Sequence, residues 1–105
     1  MPFYTFIMEY AGGTYISQVN APSAKSACVK WAHKLDASEI KGLGIKSKES
    51  LINQMKDEIP VALNDTVNAW CMSALIRDKL ALINLVQTDR NGNTRGGNMN
   101  TRASA

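Results

Sequence analysis

Residues 67–88 read VNAWCMSALIRDKLALINLVQT, the most apolar segment of the chain. How this segment folds decides the architecture. Split at Arg77-Asp78-Lys79, it gives two strands, 67–76 and 80–88. A turn centred on Asp78-Lys79 would pair Ile76 with Ala81, Ala74 with Ile83 and Met72 with Leu85. One face then carries Trp70, Met72, Ala74, Ile76, Ala81, Ile83 and Leu85, with no polar residue among them. The opposite face, with Cys71, Ser73, Leu75, Leu82, Asn84 and Val86, is mixed. Such a pair belongs to a sheet packed on one side and partly covered on the other. The rival is one long helix, since Val67, Trp70, Cys71, Ala74, Leu75, Ala81, Leu82 and Leu85 share a helical stripe spoiled only at Asp78. Enrichment in Trp, Ile and Val and the polar Arg-Asp-Lys break favour the hairpin.

A second hairpin opens the chain. Residues 3–10 and 14–20 read as strands around Ala11-Gly12-Gly13, where glycine supplies the positive φ of a tight turn. A two-residue loop sets Tyr4, Phe6, Met8 and Tyr10 on the same face as Tyr15, Ser17 and Val19. That face is the more apolar and is expected to look into the core. Phe3, Thr5, Ile7, Glu9, Ile16 and Gln18 then point the other way.

Between the hairpins lie two helices. Pro22-Ser23 starts the first, with Ser23 able to accept from a free backbone amide. Ala24, Ala27, Cys28, Trp31, Ala32 and Leu35 form its apolar stripe, and Lys25, Lys30, His33 and Lys34 are expected to face water. Asp36-Ala37-Ser38-Glu39 has capping-box spacing and suits a short extra turn. Ser47 is expected to cap a second helix with a stripe of Leu51, Ile52, Met55 and Ile59, ended by Pro60. Residues 61–65 read as a connector. The order ββ-αα-ββ predicts a two-layer α+β domain over residues 1–89, with an antiparallel four-stranded sheet and both helices on one face.

The chain has 105 residues, enough for one domain with a real core, and a net charge of +3. Through Asp89 nine basic residues balance nine acidic ones, so the excess comes from Arg90, Arg95 and Arg102. Residues 90–105 hold one large apolar side chain, Met99, and read as a disordered polar tail. A neutral domain with a basic tail is a weaker nucleic-acid candidate than its total charge implies. Glu9 interrupts the N-terminal apolar run, no long apolar span follows, and the expectation is a soluble cytoplasmic protein with no membrane partner. Cys28 and Cys71 have no metal spacing and read as small hydrophobes.

Chemistry-bearing patterns are few. Lys41-Gly42-Leu43-Gly44-Ile45-Lys46-Ser47-Lys48 opens a helix, and glycines, lysines and a helix N-terminus together suit an anion. Lys41, Gly42, Gly44, Lys46, Ser47 and Lys48 are thus the candidate anion-binding residues. The stretch is not a P-loop, because Ile45 stands where glycine must precede Lys-Ser. Cys28 and His33 lie about 140° apart around one helix and cannot pair as nucleophile and base. No acid/base couple, metal cluster or cofactor motif is evident, so no catalytic residue and no cofactor is expected. Tyr4, Tyr10, Tyr15 and Trp70 invite comparison with RNA-binding sheets but fall on the face expected to be core. Arg95-Gly96-Gly97 is a single arginine-glycine copy.

Tyr4-Thr5-Phe6-Ile7-Met8-Glu9, followed by Gly12-Gly13-Thr14-Tyr15, is similar to the opening hairpin of the HicB-type antitoxins. The family's third strand, with its Pro-Gly-Cys stretch, is missing here, because Val19 runs almost straight into Pro22. No function is carried over from so short a resemblance.

The expectation is therefore a small non-enzymatic interaction or regulatory module. Phe3, Ile7, Ile16, Cys71, Leu75, Leu82 and Val86 would form a half-apolar outer sheet face, suited to a homodimer or to an unidentified protein partner. The competing expectation is RNA or phosphate binding through the Lys41–Lys48 loop and the arginine-containing tail.

Overall fold

In the computed structural model, which describes residues 1–88, both hairpins close through two-residue turns with left-handed central residues. Ala11 and Gly12 have φ of 51° and 82°, and Arg77 and Asp78 have φ of 53° and 66°. Turns of this kind match the right-handed twist of the strands they join. The tighter turn at Arg77-Asp78 sets Ile76 against Lys79, Ala74 against Ala81 and Met72 against Ile83. Each partner thus sits two residues from its expected place. An even slip leaves every side chain on its expected face, and the core assignment survives. The domain end at Asp89 and the tail over 90–105 lie outside the described residues.

The elements run β1 (Phe3–Tyr10), β2 (Gly13–Asn20), α1 (Ala24–Lys34), a 3-10 turn (Ala37–Glu39), α2 (Ile45–Asp57), β3 (Val61–Ala62), β4 (Ala69–Ile76) and β5 (Lys79–Thr88). They form an α+β fold with one antiparallel sheet in the order β2-β1-β5-β4-β3. The sheet therefore has five strands rather than four. The expected connector pairs with the edge of β4, Val61 against Cys71 and Ala62 against Trp70. Left-handed Asp65 and Asn68 then fold the chain back, held by Leu63 N donating to Ala69 O at 3.0 Å. Val67 stands in this turn, so β4 starts only at Ala69.

The two hairpins join through β1 and β5, Phe6 against Leu85 and Met8 against Ile83. This makes one continuous apolar surface, and both helices bury it. Tyr4, Phe6, Met8, Tyr10, Met72, Ile76, Ile83 and Leu85 form one core with Trp31, Leu51 and Met55. Phe6 stacks on Trp31 with centroids 4.9 Å apart and planes 6° from parallel. Trp70 is half-buried at the end of this face, tilted against Tyr4 at 5.9 Å. Tyr10 donates its buried hydroxyl to Ile76 O (3.2 Å), tying the first hairpin to the second.

Ser23 caps α1 in a reciprocal arrangement with Ser26, and Ala27, Cys28, Trp31 and Ala32 are its buried stripe. Of the lysines expected to face water, Lys30 and Lys34 are exposed and Lys25 is half-buried, and all three donate to main-chain carbonyls. Lys25 Nζ reaches Met55 O (2.7 Å), Lys56 O (2.8 Å) and Glu58 O, which are the orphan carbonyls at the end of α2. Lys30 and Lys34 bond Asn20 O (2.7 Å) and Gln18 O (2.8 Å) on the outer edge of β2. At the other margin Gln54 uses both ends of its carboxamide on Leu75, donating to its O (2.8 Å) and accepting from its N (3.0 Å). A long exposed strand edge invites mispairing, and these side chains occupy parts of both edges.

Two helix boundaries differ from expectation. The second helix begins at Ile45 with Gly44 as its N-cap, so Ser47 lies in the first turn and caps nothing. Left-handed Gly42 and extended Gly44 turn the chain early, after the buried Leu43. The helix also stops at Asp57, because the residue before Pro60 avoids helical backbone. Ile59 therefore leaves the stripe and is 75% exposed.

Candidate functional site

Alternation along the strands sends half of the sheet's side chains away from the helices, and the register sorts them into rows. The middle row crosses all five strands as Ile16, Ile7, Asn84, Cys71 and Val61. Beside it run Gln18, Thr5, Val86 and Ala69 on one side, and Thr14, Glu9, Leu82 and Ser73 on the other. Leu75 and Leu80 pair at one end, and Asn20, Phe3 and Thr88 line up at the other. All seven residues singled out from the sequence lie on this one face.

They are not equally open. Ile16 is 66%, Leu75 59% and Leu82 48% exposed, Val86 is at the edge of exposure, and Phe3, Ile7 and Cys71 are half-buried by strand neighbours. Leu80 and Val61 belong to the same face and are exposed. Leu80 was legible from its spacing to Leu82, whereas Val61 needed the unforeseen fifth strand. The polar residues near Phe3 are largely occupied among themselves: Gln18 donates to Thr5 Oγ1 (2.9 Å), and Thr5 and Thr88 hydroxyls lie 3.3 Å apart. Asn84 is exposed and makes no side-chain hydrogen bond within the described residues. Glu9 is the one charged side chain in the three rows.

The glycine-lysine loop is divided by the fold. Lys41 and Gly42 line a shallow recess with Tyr10, Ala11, Arg77 and Lys79. Gly44, Ile45, Lys46 and Ser47 line a neighbouring, more open one on the other side of Arg77. Lys48 points elsewhere, donating to Leu35 O at 2.6 Å. The β4–β5 turn thus brings Arg77 beside both parts of the loop and Lys79 beside Lys41, with Asp78 the acidic member of the turn. No local sequence signal announces that convergence, because thirty-odd residues separate the loop from the turn.

Elsewhere the chemistry is quiet. Cys28 is buried and donates its thiol to Met72 Sδ (3.3 Å), and burial pushes its pKa up to about 11. Burial also raises Tyr4, whereas hydrogen bonds from the Ser38 hydroxyl and amide hold the Asp36 carboxyl below its usual range. His33 is exposed on α1. The aromatic rings compared above with RNA-binding sheets face the helices, with Tyr4 and Tyr10 buried and Tyr15 and Trp70 half-buried. Among the described residues no three His, Cys, Asp or Glu side chains converge as metal ligands, and no helix is long and apolar enough to cross a membrane. No family model, curated protein or solved structure matches this chain.

Proposed function

We propose that this protein is a small cytoplasmic, non-enzymatic interaction module that pairs with a second copy of itself through the uncovered sheet face. The observation that carries the proposal is the spread of apolar side chains over all five strands of that face, from Ile16 on β2 to Val61 on β3, with Asn84 the polar member of that row. Strand spacing and rise give the face a projected area of roughly 500–600 Å². Side-chain relief makes the accessible area larger than this, and a specific interface buries roughly 800 Å² per partner. Large exposed apolar patches on soluble proteins mark interaction sites. Nothing within residues 61–65 competes for this role, because that segment extends the sheet edge instead of crossing it. Residues 89–105 offer only Met99 against this many aliphatic side chains. A charged partner would find only Glu9 to recognise, whereas a second copy matches the face in area and near-neutrality.

Cys71 lies in the middle row and reports on the cover. Its alkylation by a small thiol reagent should slow as protein concentration rises into the high micromolar range. Cys28, protonated and buried, should stay unreactive throughout as an internal control. A Cys71 rate independent of concentration would remove the self-association proposal.

A second function is favoured by one observation, the position of Arg77 between a recess that Lys41 and Lys79 line and a recess that Lys46 lines at the N-terminus of α2. Phosphate, or the phosphate backbone of RNA, has the charge for that end. Titrating phosphate should then shift the amide signals of Gly44, Ser47 and Lys48, and Lys46→Glu should abolish the shift. Unmoved signals at millimolar phosphate would leave the end as a solvated basic surface.

A further inference from the structure

The centre of the uncovered face is not apolar. Asn84 lies on β5, the third of five strands, and in the row that crosses every strand. Ile7 and Cys71 flank it across the sheet, and Leu82 and Val86 flank it along the strand. Thr5, the nearest hydroxyl on β1, is engaged with Gln18 and Thr88. Covering this carboxamide with hydrocarbon would strand two donors and an acceptor, a heavy cost for a buried amide. We infer that Asn84 lies on the twofold axis of the face-to-face dimer and pairs its carboxamide with that of Asn84 in the second copy.

The symmetry makes this specific. Two sheets packed face to face are exchanged by a twofold axis lying between them and parallel to both. Any such axis through the middle of the face brings Asn84 against its own copy, whether it runs along β5 or across the strands. An amide carries donor and acceptor on one planar group, so two related amides satisfy each other reciprocally. Packed sheets stand about 10 Å apart, close enough for side chains from both faces to meet. A polar pair at the centre of an interface also fixes alignment, as a single buried asparagine does in coiled coils. Leu82, Val86 and Ile7 supply area but fit several alignments, and Asn84 selects one.

This inference rests on the face-to-face dimer, and its test separates the two. Full-length wild type, Asn84→Asp and Asn84→Leu would be compared by sedimentation at neutral pH, with circular dichroism confirming the fold of each. Asn84 is exposed in the single chain, so neither substitution disturbs the core. Asn84→Asp sets two carboxylates against each other on the axis and should weaken association by roughly a hundredfold or more, as uncompensated buried charge does. Asn84→Leu removes every group that needs a partner and should remain dimeric. An Asn84→Asp protein that dimerises like the wild type overturns the axial placement while leaving the dimer intact. A dissociated Asn84→Leu protein overturns instead the apolar burial on which the proposed dimer rests, since the amide pair would then be what holds the copies together. A monomeric wild type removes the dimer itself.

Discussion

Phe6→Ala should cost about 3–5 kcal/mol of folding stability, a large part of what holds a domain of this size together. Phe6 is wholly buried on β1 between Ser17 of β2 and Leu85 of β5. Its ring stacks on Trp31, and through that contact α1 is seated on the sheet. The indole nitrogen of Trp31 has no hydrogen-bond partner among the described residues. Apolar area and ring contact are therefore what hold that indole, and both vanish with the Phe6 ring. Chemical unfolding followed by circular dichroism at one fixed protein concentration would measure the loss. Ile59→Ala is the contrasting control, because Ile59 lies beyond α2 and is exposed, and its effect should stay within about 0.5 kcal/mol. A Phe6→Ala protein as stable as the wild type would mean that α1 does not dock where the structure has it.

Leu82→Glu should convert the proposed dimer to monomer. Leu82 stands next to Asn84 on β5, opposite Glu9 on β1 and Ser73 on β4. Covering a leucine there is worth about 1.5–3 kcal/mol per copy, and a carboxylate in its place adds a desolvation cost. Each dimer carries the change twice. Glu9 complicates the experiment, since like charges directly across two strands also weaken the sheet. Leu82→Lys resolves the ambiguity, because its ammonium can pair with Glu9 inside one chain and still brings charge to the interface. Both variants should sediment as folded monomers. Dissociation of the glutamate variant alone would assign the effect to repulsion within the sheet.

The legible part of this fold was written in alternation. Phe6, Met8, Ile83 and Leu85 declare a buried face, and Leu75, Leu82 and Val86 declare a second apolar face that a single layer of helices leaves uncovered. Face assignment tolerated an error in register because a slip by two residues preserves side. Three of the misses share a cause, which is that they depend on contacts distant in sequence. Two residues at Val61 become a strand only because β4 offers them an edge. Lys25 looks like a solvated helix lysine until the end of α2 comes within reach. Arg77 and Lys79 looked like turn residues and nothing more, yet both stand by Lys41, and Arg77 also by Lys46. Ser47 failed as a cap for a local reason: Gly42 and Gly44 had already turned the chain into the helix.

Sedimentation equilibrium of the full-length wild type, from low to high micromolar concentration, tests the dimer most directly. The uncovered face predicts a concentration-dependent rise to twice the 11.5 kDa mass of the chain, little altered by salt because apolar burial drives it. A wild type that stays at 11.5 kDa throughout that range would contradict the account.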